Sequence, residues 1–208
     1  MTEQQAAAPV PPAPCKRAAQ GRATREQLVE VATRLFAEHC YEGTSIEAVL
    51  SAAGVSRGAL YHHFAGKEAL FEAALSAVSD RVMAELVTEI QSHSDPVDAL
   101  RTGALAWITL AADPVIQRIM LLDAPSVRGW DRWRDMDDGR TLGAMRAMLQ
   151  GVSDSGRLPP ELVSPFAHMI LGALDEIAMV VARAADSTAA VAEGRHAVEE
   201  LLNRLLRP

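Results

Sequence analysis

Aromatic side chains are scarce in this chain: four Phe, three Trp and two Tyr make up 4% of 208 residues. Strands are rich in β-branched and aromatic residues alternating at period two, and such runs are few, so the composition argues for packed helices. Cysteine is scarcer still, with Cys15 in a Pro-rich leader and Cys40 further on. Nothing requires a disulfide, which suits a reducing compartment. No apolar run is read as reaching transmembrane length, and the first residues lack the hydrophobic stretch of a secretory signal, so a cytoplasmic location is expected. A nucleophile elbow, a phosphate loop and an HExxH pair are all missing, which removes common enzyme signatures. His39, Cys40 and Glu42 lie close together, but one residue of each type lacks the paired spacing of a zinc site. No catalytic residue, cofactor or metal is expected.

The overall charge is −7, which argues against nonspecific coating of nucleic acid. Its distribution is uneven. Residues 1–67 carry seven Lys/Arg against six Glu, and the remainder thirteen against twenty-one acids. Between Glu47 and Glu68 there is no acidic residue at all. An acid-free stretch in an acidic chain suits a surface that meets a polyanion.

That stretch reads TSIEAVLSAAGVSRGALYHHFAGK over residues 44–67, and it predicts two short helices joined by a tight turn. Thr44 and Glu47 have capping-box spacing, Gly54 permits the left-handed exit from the first helix, and Ser56 caps the second. Leu60 and Phe64, four apart, would face inward. Arg57, Gly58, Ala59, Tyr61, His62 and His63 would remain outward. The spacing is that of a helix-turn-helix, whose second helix lies in the DNA major groove. Gly58 and Ala59 would allow close approach, Arg57 could reach guanine or phosphate, and Tyr61 and His62 could donate to the backbone. Lys67 would meet a phosphate at the start of the next helix. The same pattern also fits a plain helical hairpin with Tyr61 and Phe64 in the core.

Three pieces, AxxLFAEHCYEGTS, AAGVSRGALYHHF and GKEALF, together resemble the DNA-binding domain of the TetR family of bacterial transcriptional regulators over residues 24–71. The resemblance implies an all-α, dimeric regulator with an N-terminal three-helix helix-turn-helix domain and a C-terminal helical domain for ligand binding and dimerisation, about nine helices in all. It carries DNA contacts to Thr44, Ser56, Arg57, Gly58, Ala59, Tyr61, His62, His63 and Lys67. Val49-Leu50 stands where the family usually has Ile-Ala, which bears on helix spacing and the operator sequence.

In chain order, residues 1–21 are an Ala- and Pro-rich tail expected to be disordered. Lys16, Arg17, Arg22 and Arg25 are either part of that floppy leader or an arm reaching phosphates or the minor groove. The DNA-binding domain is expected over 22–67 and the ligand and dimer domain over 68–208. A first helix over 24–39 has a Leu28, Val31, Ala32, Leu35, Phe36 stripe, with Thr24 as its cap. Further helices are expected at 68–91, 97–112, 113–122, 130–151, 160–185 and 187–206, with 123–134 a loop or broken helix. Trp107, Met120, Asp123, Trp130, Trp133, Met148, Met169 and Asp175 are candidate ligand contacts, because Met and Trp suit an apolar effector and a buried carboxylate needs a partner. Met145 could join that lining, and His168 and Glu176 stand with the two aspartates if buried; ordinary core is the competing reading for the apolar ones and surface charge for the polar ones. Helix 160–185 is apolar on most sides. With small Ala167, Gly172, Ala173 and Ala178, it predicts a dimer bundle formed with helix 187–206, the eighth and ninth helices. The expected partners are a palindromic double-stranded DNA operator, a small-molecule effector and a second copy. The alternative is a small-molecule binding protein with a vestigial DNA head.

Overall fold

The computed structural model describes residues 16–206, the side chains of 16, 17 and 130–140 lying outside that description. Helices α1 (Lys16–Gly43), α2 (Ile46–Ala53) and α3 (Arg57–His63) form the head, and α4 (Lys67–Ile90) leads out of it. Next come α5 (Pro96–Leu110) and α6 (Pro114–Ile116), then a π-helical turn at Gln117–Asp123 that runs on into α7 (Ala124–Arg128). Helix α8 (Trp130–Asp154), a 3₁₀ turn at Pro160–Leu162, α9 (Val163–Arg183) and α10 (Ser187–Leu205) complete the chain. With Pro114–Arg128 taken as one continuous rod, the described residues form nine helices, and no strand interrupts them.

Helix α1 begins eight residues before the expected Thr24, so residues 16–21 are helix and not tail. Thr24 is therefore not a cap. It sits inside the helix, its hydroxyl donating to the Gln20 carbonyl at 3.0 Å. Leu28, Ala32, Leu35 and Phe36 are buried as the stripe predicts. The regular helix breaks at Cys40, where φ 58° and ψ 172° put a non-glycine residue in a region that ordinarily belongs to glycine. Tyr41 follows, and its ring packs against Phe36 and Phe71 at 5.9 and 5.1 Å between centroids.

Helix α5 and the Pro114–Arg128 rod meet at a 79° bend. Asp113 makes that corner by accepting from the N–H groups of Val115 and Ile116, and Pro114 takes the first-turn position where no donor is needed. In the same way Asp95 caps α5. The Arg157 guanidinium beside Asp95 holds its carboxyl below the usual range. Helix α10 settles close against α9 and α5 at Gly194, where a Cβ would lie 2.7 Å from Ile177 Cγ2 and 3.2 Å from Ile108 Cγ2.

One segment differs from its sequence-based reading. Pro160–Arg183 is long and apolar enough to cross a membrane, with a mean hydropathy of 1.5. In the fold its apolar side goes to neighbours: Ile170, Leu174, Ala178 and Val181 are buried where α9 packs on α5, α8 and α10. Ala167 and Ala178 point into this same interior, both fully buried, and so do not serve a dimer seam as expected.

Two polar clasps tie the Pro114–Arg128 rod to the head and to α4. The Tyr41 N–H donates to Asp123 Oδ2 at 2.6 Å, and Arg128 makes a two-pronged pair with Glu72, its Nε donating at 2.6 Å. Burial pushes the Asp123 carboxyl above its ordinary value, against the pull of the Tyr41 N–H and Arg118, with Glu42 adding to the rise. Burial also lowers the Arg128 guanidinium. Because Asp123 holds its proton more tightly folded than unfolded, its favourable contribution is complete below about pH 4 and is lost as pH rises through the folded value. Asp123→Asn keeps an acceptor for Tyr41 without the charge, so relative to wild type it gains stability between about pH 4 and pH 7. Asp123→Ala leaves the Tyr41 N–H unpaired and loses about 1–3 kcal/mol. Urea unfolding of the three proteins at both pH values measures these differences.

Candidate nucleic-acid interface

The head presents α3 outward because its inner side is used up. Leu60 and Phe64 are buried, with Val49 and Ala53 of α2 beneath them. Gly54 turns the chain at φ 63°, and its N–H returns to the Leu50 carbonyl. Ser56 caps α3, accepting from the Ala59 N–H at 3.3 Å. Gln27 of α1 ties this turn down by donating to the Ala53 carbonyl at 2.9 Å. Leu50, the bulky residue at the α2–α3 crossing, is half-buried on the edge of the core.

The outward face carries most of the expected residues. Ser56, Arg57, Gly58 and His62 are exposed, and Tyr61 is 48% exposed. That excludes the plain hairpin reading, which needed Tyr61 inside. A Cβ at Gly58 would meet nothing within 4 Å, so the helix backbone lies open there. Ala59 and His63 are half-buried, and the two His rings meet edge to face at 5.0 Å. Lys67 opens α4 beside this surface. Its Nζ donates to the Tyr41 carbonyl at 2.8 Å and lies 4.2 Å from the centre of the Tyr41 ring. Gly66 brings no capping side chain to the start of α4.

Thr44 is a correction. It is 2% exposed, and its hydroxyl donates to the carbonyls of Leu35 and Cys40 at 3.1 and 2.9 Å. The cap of α2 is Ser45, which accepts from the Ala48 N–H. Thr44 thus holds the α1–α2 corner together and offers no group to a ligand. The Glu47 carboxylate, assigned to a capping box with Thr44, instead pairs with Arg57 across the turn. A contact ten residues apart follows no helical spacing, so the sequence holds no periodic signal for it. The basic residues considered for an N-terminal arm lie on helix α1 and not on a floppy leader. Arg22 and Arg25 ride on α1, with the Arg25 guanidinium 5.2 Å from the Phe64 ring centre, and the side chains of Lys16 and Arg17 lie outside the described residues.

The eight ligand candidates do not converge as a set. Trp107, Met120 and Met148 are half-buried against the C-terminal core. Met169 is 59% exposed on α9 and lines no interior. Asp123 turns to Tyr41 in the clasp, and Asp175 is half-buried on α9. Trp130 and Trp133 have side chains outside the described residues. A cleft of about 750 Å³ lies elsewhere, between α1 and α4, with Val29, Thr33, Ala73 and Ala77 in its walls and none of the eight candidates.

Residues 28–74 match the family described as bacterial regulatory proteins, tetR family, and residues 97–205 match the tetracyclin repressor-like C-terminal domain. The HTH-type transcriptional repressor AcnR of Corynebacterium efficiens is 31% identical over 154 residues, 71% of this chain and 76% of that protein. Its namesake in Corynebacterium glutamicum is 47% identical over 66 residues, 32% of this chain and 35% of that one. A TetR-family transcriptional regulator of Pectobacterium atrosepticum, known as a crystal structure, superimposes with a TM-score of 0.79 at 30% identity, covering 91% of this chain and 97% of its own. With an exposed helix-turn-helix in front of a helical second domain, and both parts matched by the corresponding family descriptions, the chain belongs to the TetR family of DNA-binding transcriptional regulators and is not an enzyme.

Proposed function

We propose that the protein is a cytoplasmic repressor that binds a palindromic operator as a homodimer and is released by a small-molecule effector. The observation that carries the DNA part is the outward face of α3, acid-free and open at Gly58. On this reading α3 enters the major groove. Arg57 reads a base, while Ser56, Tyr61, His62 and His63 fix the register on the backbone. Gly58 and Ala59 admit the helix to its closest approach. Lys67 spends one donor on Tyr41 and has two left for a phosphate at the bare start of α4. The head then comprises residues 22–67 and the effector and dimer domain 68–208, with α4 serving both.

The dimer is supported by what α9 leaves uncovered. Met169 and Val180 are 59% and 53% exposed, and Gly172 between them is exposed with nothing within 4 Å of a Cβ. These residues recur along one stripe of the helix together with exposed Glu176, a mixed seam open to a second copy. Two copies so joined would set recognition helices in successive major grooves about 34–36 Å apart. The effector part is supported by the clasps. The rod that follows α5 bonds the head at Tyr41 and the adjoining turns of α4 at Glu72, so a molecule that reshapes the rod biases the head. A coupling of about 1–3 kcal/mol changes operator affinity roughly 5–150-fold.

Gly58→Leu keeps or raises the melting temperature, since Gly in a helix costs about 1 kcal/mol against better formers. The same change abolishes high-affinity binding to duplexes selected by the wild type from a random pool, because the side chain fills the space the groove floor needs. Unaltered binding would refute the contact face. Tyr61→Ala lowers affinity for selected and unselected duplexes alike, by about 1 kcal/mol, as fluorescence anisotropy would read. For the seam, Met169→Glu with Val180→Glu converts the dimer to monomer by sedimentation while circular dichroism stays helical. The variant also loses the dimer's tight operator binding. A double variant that still sediments as a dimer would place the interface elsewhere.

A further inference from the structure

Glu47 is the second residue of α2 and Arg57 the first of α3. The two meet across the turn, Arg57 Nη2 donating to Glu47 Oε1, with side chains 62% and 64% exposed. A pair so open to solvent adds little to the fold. Glu47 also bounds the acid-free stretch, next to the residue placed to touch bases. A carboxylate there works against binding to any DNA, since phosphates repel it. A group that the fold hardly needs and that the contact disfavours points to a role in choosing among sequences.

We propose that Glu47 is a specificity-determining positioning residue that reserves Arg57 for guanine and denies it to phosphates. The inference rests on the reading of α3 as the base-reading helix. A guanidinium carries five N–H donors in a planar fork. The bond to Glu47 occupies one of them, and the others keep a fork that fits guanine O6 and N7. An untethered Arg57 would pair with whatever phosphate came within reach, strengthening binding to every sequence. With Glu47 in place, a phosphate must displace or approach a like charge, whereas the neutral edge of guanine need not. The second oxygen, Glu47 Oε2, is an acceptor of the kind that takes the cytosine N4 amino group, so the pair suits a G·C step. Glu47 thus supplies the repulsive half of recognition.

The test uses the full-length protein and duplexes selected by the wild type from a random pool. Affinities are measured across a salt series for a selected duplex, for the same duplex with single guanines replaced, and for a shuffled one. Arg57→Ala abolishes the preference for guanine at one symmetry-related pair of positions. Glu47→Gln stays folded by circular dichroism, binds shuffled DNA more tightly, and loses about tenfold in discrimination at that same pair of positions. Its salt dependence on shuffled DNA steepens by about 0.9 in log–log slope, one further phosphate neutralised. Glu68→Gln, which removes an exposed carboxylate from the first turn of α4, raises all affinities together and leaves discrimination intact. The inference is overturned if Glu47→Gln retains wild-type discrimination, or if Glu68→Gln reduces it equally. If Arg57→Ala leaves every base preference unchanged, Arg57 reads no base and the inference falls, while the contact face at Gly58 and Tyr61 is judged by its own variants.

Discussion

Tyr41 is the point where three elements of the molecule are tied together. The ring is held between Phe36 of α1 and Phe71 of α4, its carbonyl accepts from Lys67, and its N–H goes to buried Asp123. The residue before it, Cys40, has a backbone conformation that ordinary side chains avoid. Such a conformation persists when its surroundings over-determine it. Here the Thr44 hydroxyl takes the Cys40 carbonyl, and Asp123 takes the next N–H. The end of α1, the start of α4 and the rod after α5 are thereby pinned to a single dipeptide. Arg128 and Glu72 repeat the link a little further along α4.

That junction explains why the outward face of α3 can be so sparsely held. Helix α3 has seven residues, too short to be stable alone. It is kept by Leu60 and Phe64 in the shared core and by the Ser56 cap, and its solvent side is left for contact. Small and donor-bearing residues occupy that side. The one ion pair on it, Arg57 with Glu47, is among the least buried pairs described.

Much of this was legible in the sequence. The turn at Gly54, the cap at Ser56, the buried Leu60 and Phe64, and the exposed Tyr61 all follow from local rules with a period of a few residues. Most helix limits in the second domain lie within a few residues of their expected places, and Asp-Pro at 95–96 and 113–114 marks two of them, but the helix expected over 113–122 runs on through Arg128. Misreadings arose where two rules competed. Thr44 and Ser45 are both good caps, and only the packing of the α1 corner draws Thr44 inward. The first apolar stripe marks a start near Thr24, whereas a proline-free, Ala-rich run carries the helix back to Lys16, across Gly21. The breadth of apolar residues on α9 suggested a seam on most of its sides. Covering by α5, α8 and α10 within one chain leaves only part of the helix in the open, with Met169, Gly172, Glu176 and Val180 on the uncovered side.

Helix order, the helix-turn-helix and the side chains lining its outer face were determined by the sequence alone, since caps, turn glycines and apolar periodicity act over neighbours along the chain. Only the tertiary structure decided that Asp123 bonds Tyr41 across 82 positions and Arg128 pairs with Glu72 across 56. It likewise decided that Glu47 meets Arg57 and that Met169 faces out. The reason is physical. Those outcomes depend on which distant surfaces exclude water from one another, and a buried polar group takes whichever partner the packing brings within hydrogen-bond reach.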